Sequence, residues 1–202
     1  MSAGLLVVDV QNDFCPGGAL AVKNGDRVVP RLNRVIAAFA SAGLSIFFTR
    51  DWHPPNHISF QNEGGVWPAH CVQGSSGADF HPDLTIPSGS TIISKGDSPR
   101  TEAYSGFEGT VLEGLLKKAG VDEVFIGGLA TDYCVKQTCL DALRDGFRVS
   151  VLRDCVMAVN VKQGDGAKAL GEIRRAGAKF TTSHAAIRRF GRTHRAGLTP
   201  TI

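Results

Sequence analysis

Hydrophobic positions along this 202-residue chain fall into short continuous runs that alternate with helical stripes. Gly4 to Val10 (GLLVVDV) is an almost unbroken apolar run, the pattern of a strand buried on both faces. Leu32, Val35, Ile36 and Phe39 then repeat at helical spacing, and Gly43 stands where a C-terminal cap would close that helix. Leu44 to Thr49 (LSIFFT) predicts a second strand, and Thr91 to Ser94 (TIIS) a short third. Thr110 and Glu113 have capping-box spacing ahead of a helix with Leu112, Leu115, Leu116 and Ala119 on its apolar face, ended by Gly120. Val124 to Leu129 (VFIGGL) reads as a fourth strand. Thr131 opens a helix carrying Val135, Cys139, Ala142 and Leu143 on one side, stopped at Gly146. Phe147 to Leu152 (FRVSVL) is the fifth strand. Residues ~163–176 form a helix diluted by Gly164, Gly166 and Gly171, Lys179 to Thr182 is the sixth strand, and Ser183 is expected to cap a last helical turn or two.

Strands separated by helices of this length imply right-handed crossovers and a parallel sheet covered on both faces. The expectation is a three-layer α/β/α fold with a six-stranded, mostly parallel sheet. It forms one domain over residues 1–202, with a core of about 4–190 and a tail from 191 to 202. The stretch 50–90 breaks the rhythm. It holds no clear element, yet it carries both tryptophans and His53, His57, His70 and His81, and a loop of that length inside a compact domain points to function.

Composition narrows the classes. Hydrophobic residues at 43% and charged residues at 20% suit an ordinary globular chain. A net charge of +3 is too mild and too dispersed for a nucleic-acid partner. The late cluster of Arg174, Arg175, Lys179, Arg188, Arg189, Arg192 and Arg195 reads as a solvated helix face and tail. No run is long and apolar enough to span a bilayer, and the start lacks the pattern of a signal peptide, so no membrane partner is expected and the expected location is the cytoplasm. Cys15, Cys71, Cys134, Cys139 and Cys155 contain no C-x-x-C pair, which argues for free thiols in a reducing compartment.

In an open parallel sheet, ligands bind beyond the carboxyl ends of the strands. Asp9 lies at the end of the first strand, Asp51 and His53 after the second, Lys95 after the third and Cys134 after the fourth. An acid inside VVDVQ is costly unless paired: Asp9 either caps or pairs structurally, or serves as a proton acceptor in a dry site. Lys95 is either a surface lysine or its counter-charge. Cys134 is either a small core residue or a nucleophile, with a helix N-terminus favouring its thiolate and an oxyanion. The other four cysteines read as packing. Asp51 and His53, two apart on extended chain, share a side, and with His70 they offer one carboxylate and two imidazoles, a ligand set with open positions. His57 is either a fourth ligand or a hydrogen-bonding partner within the loop.

Read together, VVDVQNDF (7–14), TRDWHPPNHISF (49–60), VWPAHCVQ (66–73), ISKG (93–96), EAYSGFEGT (102–110) and GLATDYCV (128–135) closely resemble the nicotinamidase branch of the isochorismatase-like cysteine hydrolases, over residues ~4–182. The resemblance implies a catalytic triad of Asp9, Lys95 and Cys134. It implies one divalent metal ion on Asp51, His53 and His70, with zinc first and iron or manganese as alternatives. It also implies a cis peptide before Ala130, an oxyanion hole from the N–H groups of Ala130 and Cys134, and a substrate wall of Phe14, Trp67 and Tyr104 with Leu20 adding apolar surface. The implied reaction is deamidation of nicotinamide through a thioester. Isochorismatases and N-carbamoylsarcosine-type amidases are the nearest alternatives within the superfamily, and a non-catalytic metal- or thiol-sensing module is a remote one. Isochorismatases need neither the thiol nor this metal set, and carbamoyl amidases resemble the metal loop poorly. A homodimer is the default expectation for such a sheet.

Overall fold

The computed structural model describes residues 2–191. Six parallel strands make one sheet: β1 (Ser2–Val8), β2 (Ser45–Asp51), β3 (Thr91–Lys95), β4 (Val121–Leu129), β5 (Arg148–Met157) and β6 (Lys179–Thr181), in the order β3-β2-β1-β4-β5-β6. The chain winds outward from β1 to β3, returns to β4 and winds the other way. The reversal lies between β1 and β4, and a crevice at that switch point is where an open parallel sheet holds its ligand.

Alternate residues of β1 feed two cores. Leu5 and Val7 pack beneath α1 (Val29–Ser41) and α5 (Ser183–Phe190), with Phe39, Phe125 and Phe190 in mutual aromatic contact. Leu6 and Val8 face the other layer, where Leu112 and Leu116 of α2 (Leu112–Lys118), Cys139 and Ala142 of α3 (Lys136–Arg144) and Ile173 of α4 (Asp165–Arg175) are buried. The period-2 alternation of two apolar faces is what an apolar run covered on both sides encodes. β4 can lie this close to β1 because residue 128 is glycine: a Cβ there would sit 2.0 Å from the Val8 carbonyl oxygen, and its φ is +130°.

Several element ends differ from the sequence expectation. β1 stops at Val8, and Asp9 turns out of the sheet with φ +48°. β5 runs on to Met157 and β4 starts at Val121. The Thr110–Glu113 capping box does not form. The helix begins one residue further along than that spacing requires, with Val111 at the N-cap; the Thr110 hydroxyl donates to the Gly106 carbonyl (2.6 Å), and Glu113 pairs with Lys117. Thr182, not Ser183, caps α5. Ser183 instead gives its N–H and hydroxyl to Asp154, at 2.7 and 2.5 Å. Arg192 and Arg195 of the basic tail lie outside the described residues. No helix among the described residues is long and apolar enough to cross a membrane.

The long segment between β2 and β3 is ordered by short bridges and two single 3-10 turns, Gln61–Glu63 and Ser76–Ala78. His53 pairs with Val72, Phe60 with Trp67, and Phe80 with Gln11 just after β1. These bridges fold the segment over the carboxyl ends of the strands.

Candidate active site

Asp9, Lys95 and Cys134 meet at the switch point. Lys95, on the last residue of β3, is 1% exposed, and its Nζ lies 2.9 Å from Asp9 Oδ2 and 3.5 Å from Cys134 Sγ. The same ammonium pairs with Asp51 Oδ1 and donates to the Ala103 carbonyl at 3.1 Å. Asp9 Oδ1 accepts the Thr49 hydroxyl at 2.6 Å. Oδ2 faces the ammonium as an ion pair but accepts no well-directed hydrogen bond, so a buried acceptor stays open beside the thiol.

Cys134 sits on a widened turn, Thr131–Val135, where the Val135 N–H reaches the Ala130 carbonyl at 3.1 Å before α3 begins. At Cys134 the helix terminus and Lys95, which favour the thiolate, work against burial. Burial raises the Cys134 pKa well above the usual value, the carboxylates of Asp9 and Asp51 add to that, and the opposing pull of Lys95 is outweighed. Burial likewise raises Asp9 despite Lys95, whereas Lys95 is held well above its usual value by Asp51 and Asp9 against the effect of burial.

Beside this set, Asp51, His53 and His70 present ligand atoms within 4.8 Å of one another, all buried. The His53 Nδ1 is 2.8 Å from the Gly96 carbonyl and the His70 Nδ1 2.8 Å from the Pro68 carbonyl, so each ring donates there and turns a bare Nε2 inward. His53 Nε2 is 3.6 Å from Asp51 Oδ2. Burial lowers the pKa of His70; burial also acts on His53, but the Asp51 carboxylate outweighs it and raises that pKa. Burial opposes the ionised form of Asp51, yet Lys95 and His53 together hold it below the usual carboxylate range. One anionic oxygen and two carbonyl-braced imidazoles fit a divalent transition-metal ion. His57 stacks on His53 at 4.1 Å between centroids. Its Nε2–H donates to Thr101 (3.1 Å) and its Nδ1 meets Ser59 (2.7 Å), so both ring nitrogens are already engaged by the protein.

A single pocket reaches both groups. Phe14, Leu20, Trp67 and Tyr104 line it together with Ala130, Cys134 and the three metal-ligand candidates. Trp67 Nε1–H donates to Tyr104 Oη at 2.9 Å, which locks the two rings as one wall. The Leu129–Ala130 peptide is cis, and among the described residues the Ala130 N–H is not taken by a protein acceptor. Sequence reasoning missed Tyr133 and Val159, which also line the pocket. It missed Asp132 as well, whose carboxylate accepts the N–H groups of Val159 (2.9 Å) and Asn160 (2.8 Å) and so holds that part of the lining. An acid two residues before Cys134 was the signal available.

Comparison with known proteins agrees with this geometry. The isochorismatase domain model matches residues 3–185. The nicotinamidase of Escherichia coli (strain K12) is 42% identical, over 88% of this chain and 93% of the relative. The crystal structure of the pyrazinamidase of Pyrococcus horikoshii in complex with zinc is similar at 49% identity and a TM-score of 0.87, covering 90% of this chain and 99% of that one. PnC1 of L. infantum, solved in complex with nicotinate, is similar at 36% identity and a TM-score of 0.82, covering 91% and 94%.

Proposed function

We infer, because this chain belongs to the isochorismatase family and to its nicotinamidase/pyrazinamidase branch, that it hydrolyses nicotinamide to nicotinate and ammonia through a cysteine thioester. One observation carries the reading: a buried ammonium lies 2.9 Å from a carboxylate oxygen and 3.5 Å from a thiol that lines a pocket walled by aromatic rings. Asp9 takes the Cys134 proton through Oδ2 as the sulfur attacks the carboxamide carbon. Lys95 stays charged and stabilises both anions during that transfer. The N–H groups of Ala130 and Cys134 receive the developing oxyanion. The C–N bond then breaks, and Asp9 returns its proton to the departing ammonia, leaving the thioester. A water molecule attacks the thioester carbonyl with Asp9 again as base, and Cys134 leaves with the proton.

Asp51, His53 and His70 would hold the metal, zinc first, with iron or manganese suited to the same ligands. When bound, that ion supplies a fixed positive charge that orients the substrate's ring nitrogen and so the carboxamide. Phe14, Trp67 and Tyr104 sandwich the flat ring, and pyrazinamide fits the same description. All five cysteines are free and buried, which supports a reducing, cytoplasmic setting. Ammonia release from nicotinamide, measured before and after chelation and again after zinc is restored, tests the proposal. Turnover should fall on chelation and recover with zinc. Absence of ammonia release from the metal-loaded protein would overturn the reading.

A further inference from the structure

β1 ends at Val8, opposite Thr49, but β2 continues to Asp51. Asp51 therefore has a strand neighbour only on its β3 side, where it pairs with Lys95. On the other side the main chain has left the sheet, because Asp9 turns away to deliver its carboxylate. The peptide N–H and C=O of Asp51 would face an empty place in the ladder, and buried peptide groups without partners are costly.

The side chain of Gln11 fills that place. Its Oε1 accepts the Asp51 N–H at 2.8 Å, and its Nε2 donates to the Asp51 carbonyl at 2.8 Å. The second Nε2 hydrogen goes to the Ala78 carbonyl, also at 2.8 Å. Gln11 is fully buried. A primary carboxamide carries the same donor and acceptor as a peptide group, so this side chain acts as one more rung of the sheet.

We propose that Gln11 is a positioning residue for the metal site: it stands in for the missing strand, fixes the backbone of Asp51 from the β1 side, and so aims that carboxylate at the two imidazoles. The proposal rests on the metal-binding reading of Asp51, His53 and His70. The rung keeps Asp51 extended to the end of β2, with Oδ1 on Lys95 and Oδ2 beside His53. It also ties β2 to the loop at Ala78, which follows the segment bearing His70. The sheet can thus present two acids at adjacent strand ends, one on a chain that has turned away and one on a chain that has stayed.

The test is the zinc affinity of the folded, metal-stripped protein, measured by competition with a chromophoric chelator. Gln11→Met keeps the length and removes all three bonds; Gln11→Glu keeps the acceptor and removes both donations, and serves if the first variant does not fold. Circular dichroism and the melting temperature of the metal-free forms establish folding. Loss of outer partners of metal ligands weakens binding by about 10–100-fold, and a fall of that size is expected. A merely structural role would lower the melting temperature of the metal-free protein and leave the zinc dissociation constant alone. A constant within about twofold of wild type in the folded variants would overturn the proposal, since outer-shell effects are larger than that. Wild-type zinc binding that survives His70→Ala unchanged would instead refute the metal site itself, and the role of Gln11 with it.

Discussion

Replacing Lys95 with methionine, in protein stripped of metal, isolates the electrostatic core of the site. Lys95 is 1% exposed, and one ammonium serves the buried carboxylates of both Asp9 and Asp51. Methionine keeps the apolar stem, so the loss is the charge and its hydrogen bond to the Ala103 carbonyl. Removing one partner of a buried ion pair costs about 3–5 kcal/mol, because the other is left uncompensated. For a chain of this size, at 2–4 °C per kcal/mol, the melting temperature should drop by roughly 6–20 °C. The loss has a definite pH dependence. Burial already raises the Asp9 pKa against the pull of Lys95; without Lys95 it rises further. A carboxyl whose folded pKa exceeds its unfolded one contributes stability that is complete below the unfolded pKa and is lost as pH climbs through the folded one. The variant should therefore come nearest to wild type near pH 5 and fall furthest behind near pH 8. Urea unfolding followed by circular dichroism at both values measures this. A deficit under about 1 kcal/mol near pH 8, or one larger near pH 5, would refute the shared-ammonium account.

Cys134→Ala should abolish ammonia release while still binding nicotinate in a calorimeter; retained turnover would mean the thiol is not the nucleophile. Gly96→Ala should weaken zinc binding by at least about tenfold, because residue 96 has φ +60° and a Cβ there would lie 2.5 Å from His53 Cε1, displacing a ring that its own carbonyl orients; chelator competition would show it, and unchanged affinity would contradict it. Trp67→Phe removes the bond to Tyr104, a loss of about 0.5–1.5 kcal/mol, and should raise KM by roughly 3- to 10-fold with less effect on kcat. A fall in kcat with KM intact would argue that Trp67 acts on the chemistry rather than on the ring.

The reactive set was legible because a parallel sheet turns chain order into position. Asp9, Asp51, Lys95 and Cys134 each follow an apolar run, so their convergence follows from pattern alone. The helix and strand ends were less legible, since they depend on competition for hydrogen bonds. The Thr110 oxygen accepts the Leu112 N–H at 3.2 Å rather than that of Glu113, and Ser183 is taken by Asp154, which leaves Thr182 to cap α5. The balance at Cys134 was only half legible: a helix terminus and a lysine can be read from spacing, but the depth of burial that opposes them cannot. Gln11, Thr49 and Asp132 gave weak signals because their partners lie about 27 to 67 residues away in the chain, and only the fold brings them together.

Asp9 and Asp51 share one lysine, yet their surroundings push them apart. Burial dominates at Asp9 and raises its pKa in spite of Lys95, whereas at Asp51 the combined pull of Lys95 and His53 overcomes burial and lowers it. The carboxylate that is hard to protonate is the one turned toward the two bare imidazole nitrogens. The one that takes a proton more readily is the one with an open oxygen beside the thiol. Two acids held at different pKa values by their environments take different roles. Isosteric replacements should separate them. Asp51→Asn should weaken zinc binding by more than the about 10–100-fold typical of an outer-shell loss, since it removes a ligand's charge. Asp9→Asn should leave zinc affinity within a few-fold of wild type and lower kcat by about 10²–10⁴, the usual contribution of a positioned proton acceptor. If both variants lost zinc alike, or if Asp9→Asn kept its turnover, the division of labour between the two carboxylates would be wrong.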